Sequence, residues 1–140
     1  MSKILVSGTM GMETTLKVDG FPLAYEPVRY PFFGVRSRVA GVGVNLARAL
    51  GSLGSDVTLL SLVGADLLGR MVMQTLADAE IATDGVLPLL TETGQSVVLY
   101  APDGRRQIHT DLKDVQQRPY PPDRFAAALA QCDLAVLTNV

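Results

Sequence analysis

Three stretches, Lys3–Ser7, Val57–Val63 and Leu134–Thr138, carry continuous apolar runs rather than an apolar residue at every second position. A strand with one wet face alternates polar and apolar residues. One that is apolar at both parities must be covered on both faces, as in a parallel sheet flanked by helices. Helical spacing between these runs supports that reading. Asn45 to Leu53 has a helical apolar pattern, and Leu67 to Ala79 places Leu68, Met71, Val72 and Leu76 near one face. Pro121-Pro122-Asp123 opens a third helix, continued by Arg124 to Gln131, because proline suits a first turn.

A second population of strands has a different texture. Glu13–Val18, Val35–Val39, Gln95–Tyr100 and Arg105–Thr110 are amphipathic, the pattern of a small sheet with one wet face. The last two flank Pro102-Asp103-Gly104, a tight-turn signal between strand patterns. The expected architecture is an α/β core with a parallel sheet, carrying a small β lid. Its segments fall at about 13–39 and 93–111. No internal repeat or low-complexity segment interrupts the chain. It stops at the end of a core strand with no helix over it, the expectation for a fragment.

The functional signal lies in Val39-Ala40-Gly41-Val42-Gly43-Val44-Asn45. Two glycines separated by one residue let backbone approach a ligand where a Cβ would obstruct it. Asn45 is placed as the cap of the helix that follows, and Gly54 as its end. A second polar loop, Gly64-Ala65-Asp66, follows the next apolar strand, with Asp66 expected to cap the helix at Leu67. Loops at this end of a sheet are where a small molecule binds, and Asn139, closing the last apolar strand, is a further candidate by the same rule.

Charge and cysteine usage narrow the function classes. The net charge of −2 and the absence of a Lys/Arg run argue against a nucleic-acid surface. No stretch reaches the roughly 20 apolar residues of a membrane span. Cys132 stands alone, which excludes an internal disulfide and a cysteine-built metal cluster, so a reducing cytoplasm fits best. His109 has no second histidine or cysteine nearby and is not a metal-site candidate. Tyr25, Tyr30, Phe32 and Phe33 are expected either to pack within the flap or to meet a second subunit.

Ala40-Gly41-Val42-Gly43-Val44-Asn45-Leu46-Ala47, then Leu50, Leu53-Gly54, Val63-Gly64-Ala65-Asp66 and Gly69, resembles the first signature of the ribokinase-like (PfkB) family of sugar and nucleoside kinases. Ile4-Leu5-Val6-Ser7-Gly8 resembles that family's first strand, Thr93-Gly94 and the hairpin its lid, and Asp133 to Asn139 a later core strand. The resemblance covers essentially the whole chain and corresponds to the family's N-terminal half. It implies transfer of the γ-phosphoryl group of ATP to a sugar or nucleoside hydroxyl, with Mg²⁺ assisting. Pairing of two copies through the lid is a further implication.

Carried over residue by residue, Gly41, Val42, Gly43 and Asn45 would hold the acceptor's hydroxyls. Glu13 falls where family members often place an aspartate that grips sugar hydroxyls, one methylene longer here. Val42 stands where many sugar-binding members have lysine, so that donor is missing. The family's Gly-Ala-Gly-Asp anion hole with its catalytic aspartate, and its Asn-x-x-Glu motif near Mg²⁺, do not occur in this sequence. The expectation is therefore a chain that supplies acceptor site and lid and does not catalyse phosphoryl transfer alone. Two other readings stay open: a kinase-derived protein that binds a ligand or partner without chemistry, and a dinucleotide-binding domain built on Gly41-x-Gly43.

Overall fold

The computed structural model describes residues 1–138. Eight strands and three α-helices follow in the order β1 (Lys3–Ser7), β2 (Gly11–Lys17), β3 (Val35–Ala40), α1 (Val42–Ser52), β4 (Asp56–Gly64), α2 (Leu67–Asp78), β5 (Val86–Leu90), β6 (Gln95–Tyr100), β7 (Arg106–Asp111), α3 (Pro122–Leu129) and β8 (Leu134–Leu137). A short 3-10 turn, Val115–Gln117, lies between β7 and α3. The strands form two four-stranded sheets, ordered β5-β4-β1-β8 and β3-β2-β6-β7. All pairings in the first are parallel. In the second, β2 runs parallel to β6 and antiparallel to β3, and β6 runs antiparallel to β7. The two strand textures thus separate into two sheets.

The parallel sheet is buried because its strands are apolar at both parities. Ile4 and Val6 of β1 and Leu59 and Val63 of β4 join Val44 and Ala47 of α1 and Val72 and Leu76 of α2 in one cluster. Leu5, Leu60 and Leu62, of opposite parity, are buried as well. Met12 of β2 and Val39 of β3 belong to the same cluster as α1 and α2. That shared core fixes the base of the second sheet against the first. Burying each such aliphatic side chain contributes about 1.5–3 kcal/mol.

Several expectations are corrected. Asn45 does not cap α1; the helix starts earlier, with Gly41 as its N-cap at φ 125° and no side-chain cap bond. The strand-to-helix turn needs a positive φ at Gly41, and the helix begins directly after it. β5 is a strand that the sequence pattern does not announce. Pro88 interrupts its pattern, and it is tolerated because β5 is an edge strand, where one missing N–H costs no ladder bond. The aromatic flap does not pack: Tyr25, Tyr30, Phe32 and Phe33 are all exposed, with only Tyr30 and Phe32 stacked on each other. Gly54 follows the end of α1 with φ 83°, as its terminating role requires.

The second polar loop is structural. Asp66 caps α2 by accepting from the Gly69 N–H at 2.8 Å. The same carboxylate accepts from the Thr93 N–H at 2.9 Å and from its hydroxyl at 2.6 Å. The Thr93 oxygen in turn accepts from the Gly64 N–H at 3.0 Å. Thr93 is fully buried. One carboxylate therefore ties the end of β4, the start of α2 and the residue leading into β6. Burial by itself would raise the Asp66 pKa, but the bonds from Thr93 and Gly69 outweigh it and hold the group below its ordinary 3.8.

Replacing Asp66 with alanine strands the buried Thr93 hydroxyl and uncaps α2, so Asp66→Ala should lower unfolding free energy by about 2–4 kcal/mol in a urea titration. The pH dependence has a fixed sign. With the folded pKa depressed, the ionised group stabilises the fold above the ordinary value of 3.8. The contribution is lost as pH falls through the lower folded value. Asp66→Asn should therefore flatten the acid limb of the stability curve below about pH 4.

Candidate functional site

A cleft of about 320 Å³ lies between the β3-β2-β6-β7 sheet and the start of α1. Glu13, Gly41 and Val42 all line it, together with Thr9, Ser96, Ile108, Thr110 and Asp111. Residues far apart in sequence meet there because β2 leaves the β1 loop directly and β3 returns to it just before Gly41. Both ends of the hairpin are thereby anchored at the carboxyl end of the parallel sheet. Binding sites of open α/β sheets occupy this place.

Glycine is required in this wall by close approach. A Cβ on Gly41 would stand 2.5 Å from the Thr9 carbonyl oxygen, and one on Gly43 would stand 2.8 Å from that of Gly8. The Gly43 N–H donates to the Thr9 carbonyl at 3.2 Å, stitching α1 to the loop after β1. Gly43 is buried and does not line the cleft; its role is to let α1 seat against Gly8. Gly41 and Val42 present the first turn of α1 to the cleft, where the helix dipole favours electron-rich groups. Asn45 sits one turn into α1, exposed and outside the cleft lining. Asn139 lies outside the described residues.

The electrostatics are paired. Glu13 accepts from Arg38 of β3, its Oε1 2.9 Å from Nε and 2.7 Å from Nη2. The register places the two opposite each other across β2 and β3. Asp111 is held below the usual carboxylate range by Lys113, which contacts it through both side chain and backbone N–H. Lys113 also bridges to Glu92 at 2.8 Å. Both cleft carboxylates are therefore hydrogen-bond acceptors with a cation at hand, a combination suited to gripping hydroxyl groups. Arg38, Ser96, Thr110 and Asp111 escape sequence reasoning, since only strand register brings them beside Glu13.

No three His, Cys, Asp or Glu side chains among the described residues are grouped to hold a metal ion. With Glu13 and Asp111 each committed to a cation, the residues present do not fit a Mg²⁺-nucleotide cradle. A second cavity, of about 420 Å³, opens beyond the carboxyl ends of β1, β4 and β8, lined among others by Ser7, Ser61, Tyr120 and Thr138. The dinucleotide reading loses its footing here. The glycine turn leaves β3 of the second sheet, whereas a dinucleotide fingerprint follows the opening strand of the parallel sheet.

The two glycine environments predict opposite outcomes. Gly43→Ala must push α1 from the Gly8 backbone and should cost about 1–3 kcal/mol of stability. Gly51→Ala, in the same helix with open space around the new methyl, should instead stabilise by about 0.5–1 kcal/mol. Thermal melts of the two variants against the parent measure both signs.

Comparison with known proteins gives a consistent answer. Residues 1–138 match the family model described as pfkB family carbohydrate kinase. The D-beta-D-heptose 7-phosphate kinase of Bordetella bronchiseptica is 33% identical over 105 residues, covering 71% of this chain and 32% of that protein. A putative ribokinase from Agrobacterium tumefaciens superposes with a TM-score of 0.80 at 20% identity, covering 97% of this chain and 44% of that one. The ribokinase of Cryptococcus neoformans var. grubii serotype A, solved with ADP, superposes with a TM-score of 0.63 at 27% identity, over 79% of this chain and 35% of that one. The chain thus spans less than half the length of these relatives. Its fold is ribokinase-like, and the chain belongs to the pfkB family of carbohydrate kinases.

Proposed function

We propose that this chain supplies the acceptor site and lid of a kinase that passes the γ-phosphoryl group of ATP to a hydroxyl of a sugar or nucleoside. The observation that carries the reading is the meeting of Glu13, Gly41 and Val42 in one cleft beneath the β3-β2-β6-β7 sheet. Glu13 accepts hydrogen bonds from the acceptor's hydroxyls, and Arg38 keeps its carboxylate aimed. The sheet acts as the lid, shielding the acceptor from water. Gly43 acts through the seating of α1, and Asn45 and Asn139 complete the proposed set of acceptor-binding residues. Family membership and the ADP in the Cryptococcus ribokinase support ATP as phosphoryl donor.

Residues 1–140 do not carry out the transfer by themselves, since the sequence contains no Gly-Ala-Gly-Asp segment to hold a transferring phosphoryl group. Mg²⁺ enters with residues outside this chain. Two copies pair through the lid and its exposed flap, where Tyr25, Tyr30, Phe32 and Phe33 offer apolar surface. A lone cysteine fits a cytoplasmic setting. The second reading, binding without chemistry, draws on the same missing segment and differs only in whether a catalytic half accompanies this chain.

The test combines binding and turnover. Calorimetry of the chain against a panel of sugars and nucleosides should give saturable binding, weakened about 10- to 100-fold by Glu13→Gln, the scale of lost charge-assisted hydrogen bonds. An ATP-consumption assay with the same panel should register no sustained turnover. Turnover by the chain alone would overturn the division of labour, and binding indifferent to Glu13 would overturn the site.

A further inference from the structure

The candidate acceptor cleft and the second cavity are neighbours with residues in common. Thr9 and Leu112 line both, so they stand between a space of about 320 Å³ and one of about 420 Å³. The chemistry on the two sides differs. Glu13 and Asp111 give the cleft two carboxylates. The second cavity presents hydroxyl and amide groups, Ser61, Gln116 and Tyr120 among them, and no carboxylate among its described lining. Leu112 is the apolar member of the shared pair, and it is exposed.

The backbone that carries Leu112 is tied down on both sides. Asp111, before it, accepts from the Lys113 N–H at 3.0 Å and meets the Lys113 Nζ at 2.8 Å. Lys113, after it, bridges to Glu92 at 2.8 Å. Asp114 then accepts from the Thr91 N–H at 3.0 Å, from the Thr91 hydroxyl at 2.9 Å and from Arg118 at 2.8 Å. The Leu112 carbonyl closes the turn by accepting from the Val115 N–H at 3.3 Å. Thr91 and Glu92 directly precede Thr93, which Asp66 grips. Each residue from Thr91 to Thr93 is thus tied to a charged side chain, and two of those ties come from Lys113 and Asp114. The loop cannot carry Leu112 aside without breaking them.

We propose that Leu112 is a specificity-determining residue of the acceptor site: it partitions the cleft from the second cavity and restricts the acceptor to a single ring. A ligand crossing the partition would press polar groups against an isobutyl side chain that offers no hydrogen bond. Bonds to water would be lost there without replacement. Leu112 therefore opposes extension by bulk and by polarity together, and the selectivity lies in what it rejects. The inference rests on the reading of the cleft as an acceptor site and narrows it, since a disaccharide or a nucleoside adds a second ring to the sugar.

Calorimetry on the 140-residue chain tests it, with ribose and adenosine, and glucose and maltose, as paired probes. The variants are Leu112→Ala, Leu112→Met and Glu13→Gln, with circular dichroism to check that each folds as the parent does. In the parent, the single sugar of at least one pair should bind at least about tenfold tighter than its extended partner. Leu112→Ala should cut that margin to about threefold or less, and Leu112→Met, which keeps the bulk and the apolar surface, should preserve it. A merely loosened fold weakens both members of a pair alike, so the ratio separates a partition from a structural role. Adenosine and maltose binding the parent as tightly as ribose and glucose overturns the proposal, as does a margin that Leu112→Ala leaves unchanged. In either case, binding that depends on Glu13 leaves the acceptor site standing. Binding indifferent to Glu13, or no binding of any probe, overturns both.

Discussion

The carboxylate of Asp66 carries three hydrogen bonds, and the relation between the two sheets depends on them. It closes the first turn of α2, fixes Thr93 at the entry to β6, and through the Thr93 oxygen reaches back to Gly64 at the end of β4. β6 lies inside the second sheet, paired to β2 on one side and β7 on the other. A sheet held only by Met12 and Val39 against the helices would rest on apolar contacts that fix no direction. The bonds at Asp66 are directional and converge on one half-buried carboxylate, so they set where β6 begins. The Val63-Gly64-Ala65-Asp66 and Gly69 pattern is thus an attachment point, and the cleft inherits its shape from it.

A second constraint works by absence of side chains. Gly41 and Gly43 let α1 approach the loop after β1 at distances a Cβ forbids. The first turn of α1 therefore becomes one wall of the cleft, opposite the lid strands. Attachment at Asp66 and close approach at Gly41 act on different walls. Neither alone makes a cavity. The cleft is the space left when both are satisfied, which is why its lining comes from β2, β3, α1, β6 and β7 rather than from one motif.

Charge pairing then gives the cleft its chemical character. Cross-strand register opposes Glu13 to Arg38, and Lys113 holds Asp111. Each carboxylate of the cleft thus has a cation beside it. Further out on the same face, Arg36 and Arg106 have no such partner among the described residues.

Much of this was legible in the residues. Unbroken apolar runs at Lys3–Ser7 and Val57–Val63 dictated a sheet buried on both faces, and alternation in Gln95–Tyr100 dictated one wet face, because burial follows side-chain parity. Asp66 as a cap and Asp103-Gly104 as a turn follow from local backbone demands, which a short segment states in full. Pro88 hid β5, since edge position is a property of the assembled sheet and not of the strand. Helix α1 starts at Val42 rather than at Asn45 because the chain turns out of β3 at Gly41 with φ 125° and no side-chain cap, which an apolar helical pattern does not record. The sequence alone determined the two strand textures, the glycine signature and the family they mark. Only the tertiary structure decided that Arg38 faces Glu13, that Arg36 shares their face, and that Asn45 stands outside the cleft. Register and close approach are set between segments distant along the chain, where no local pattern records them.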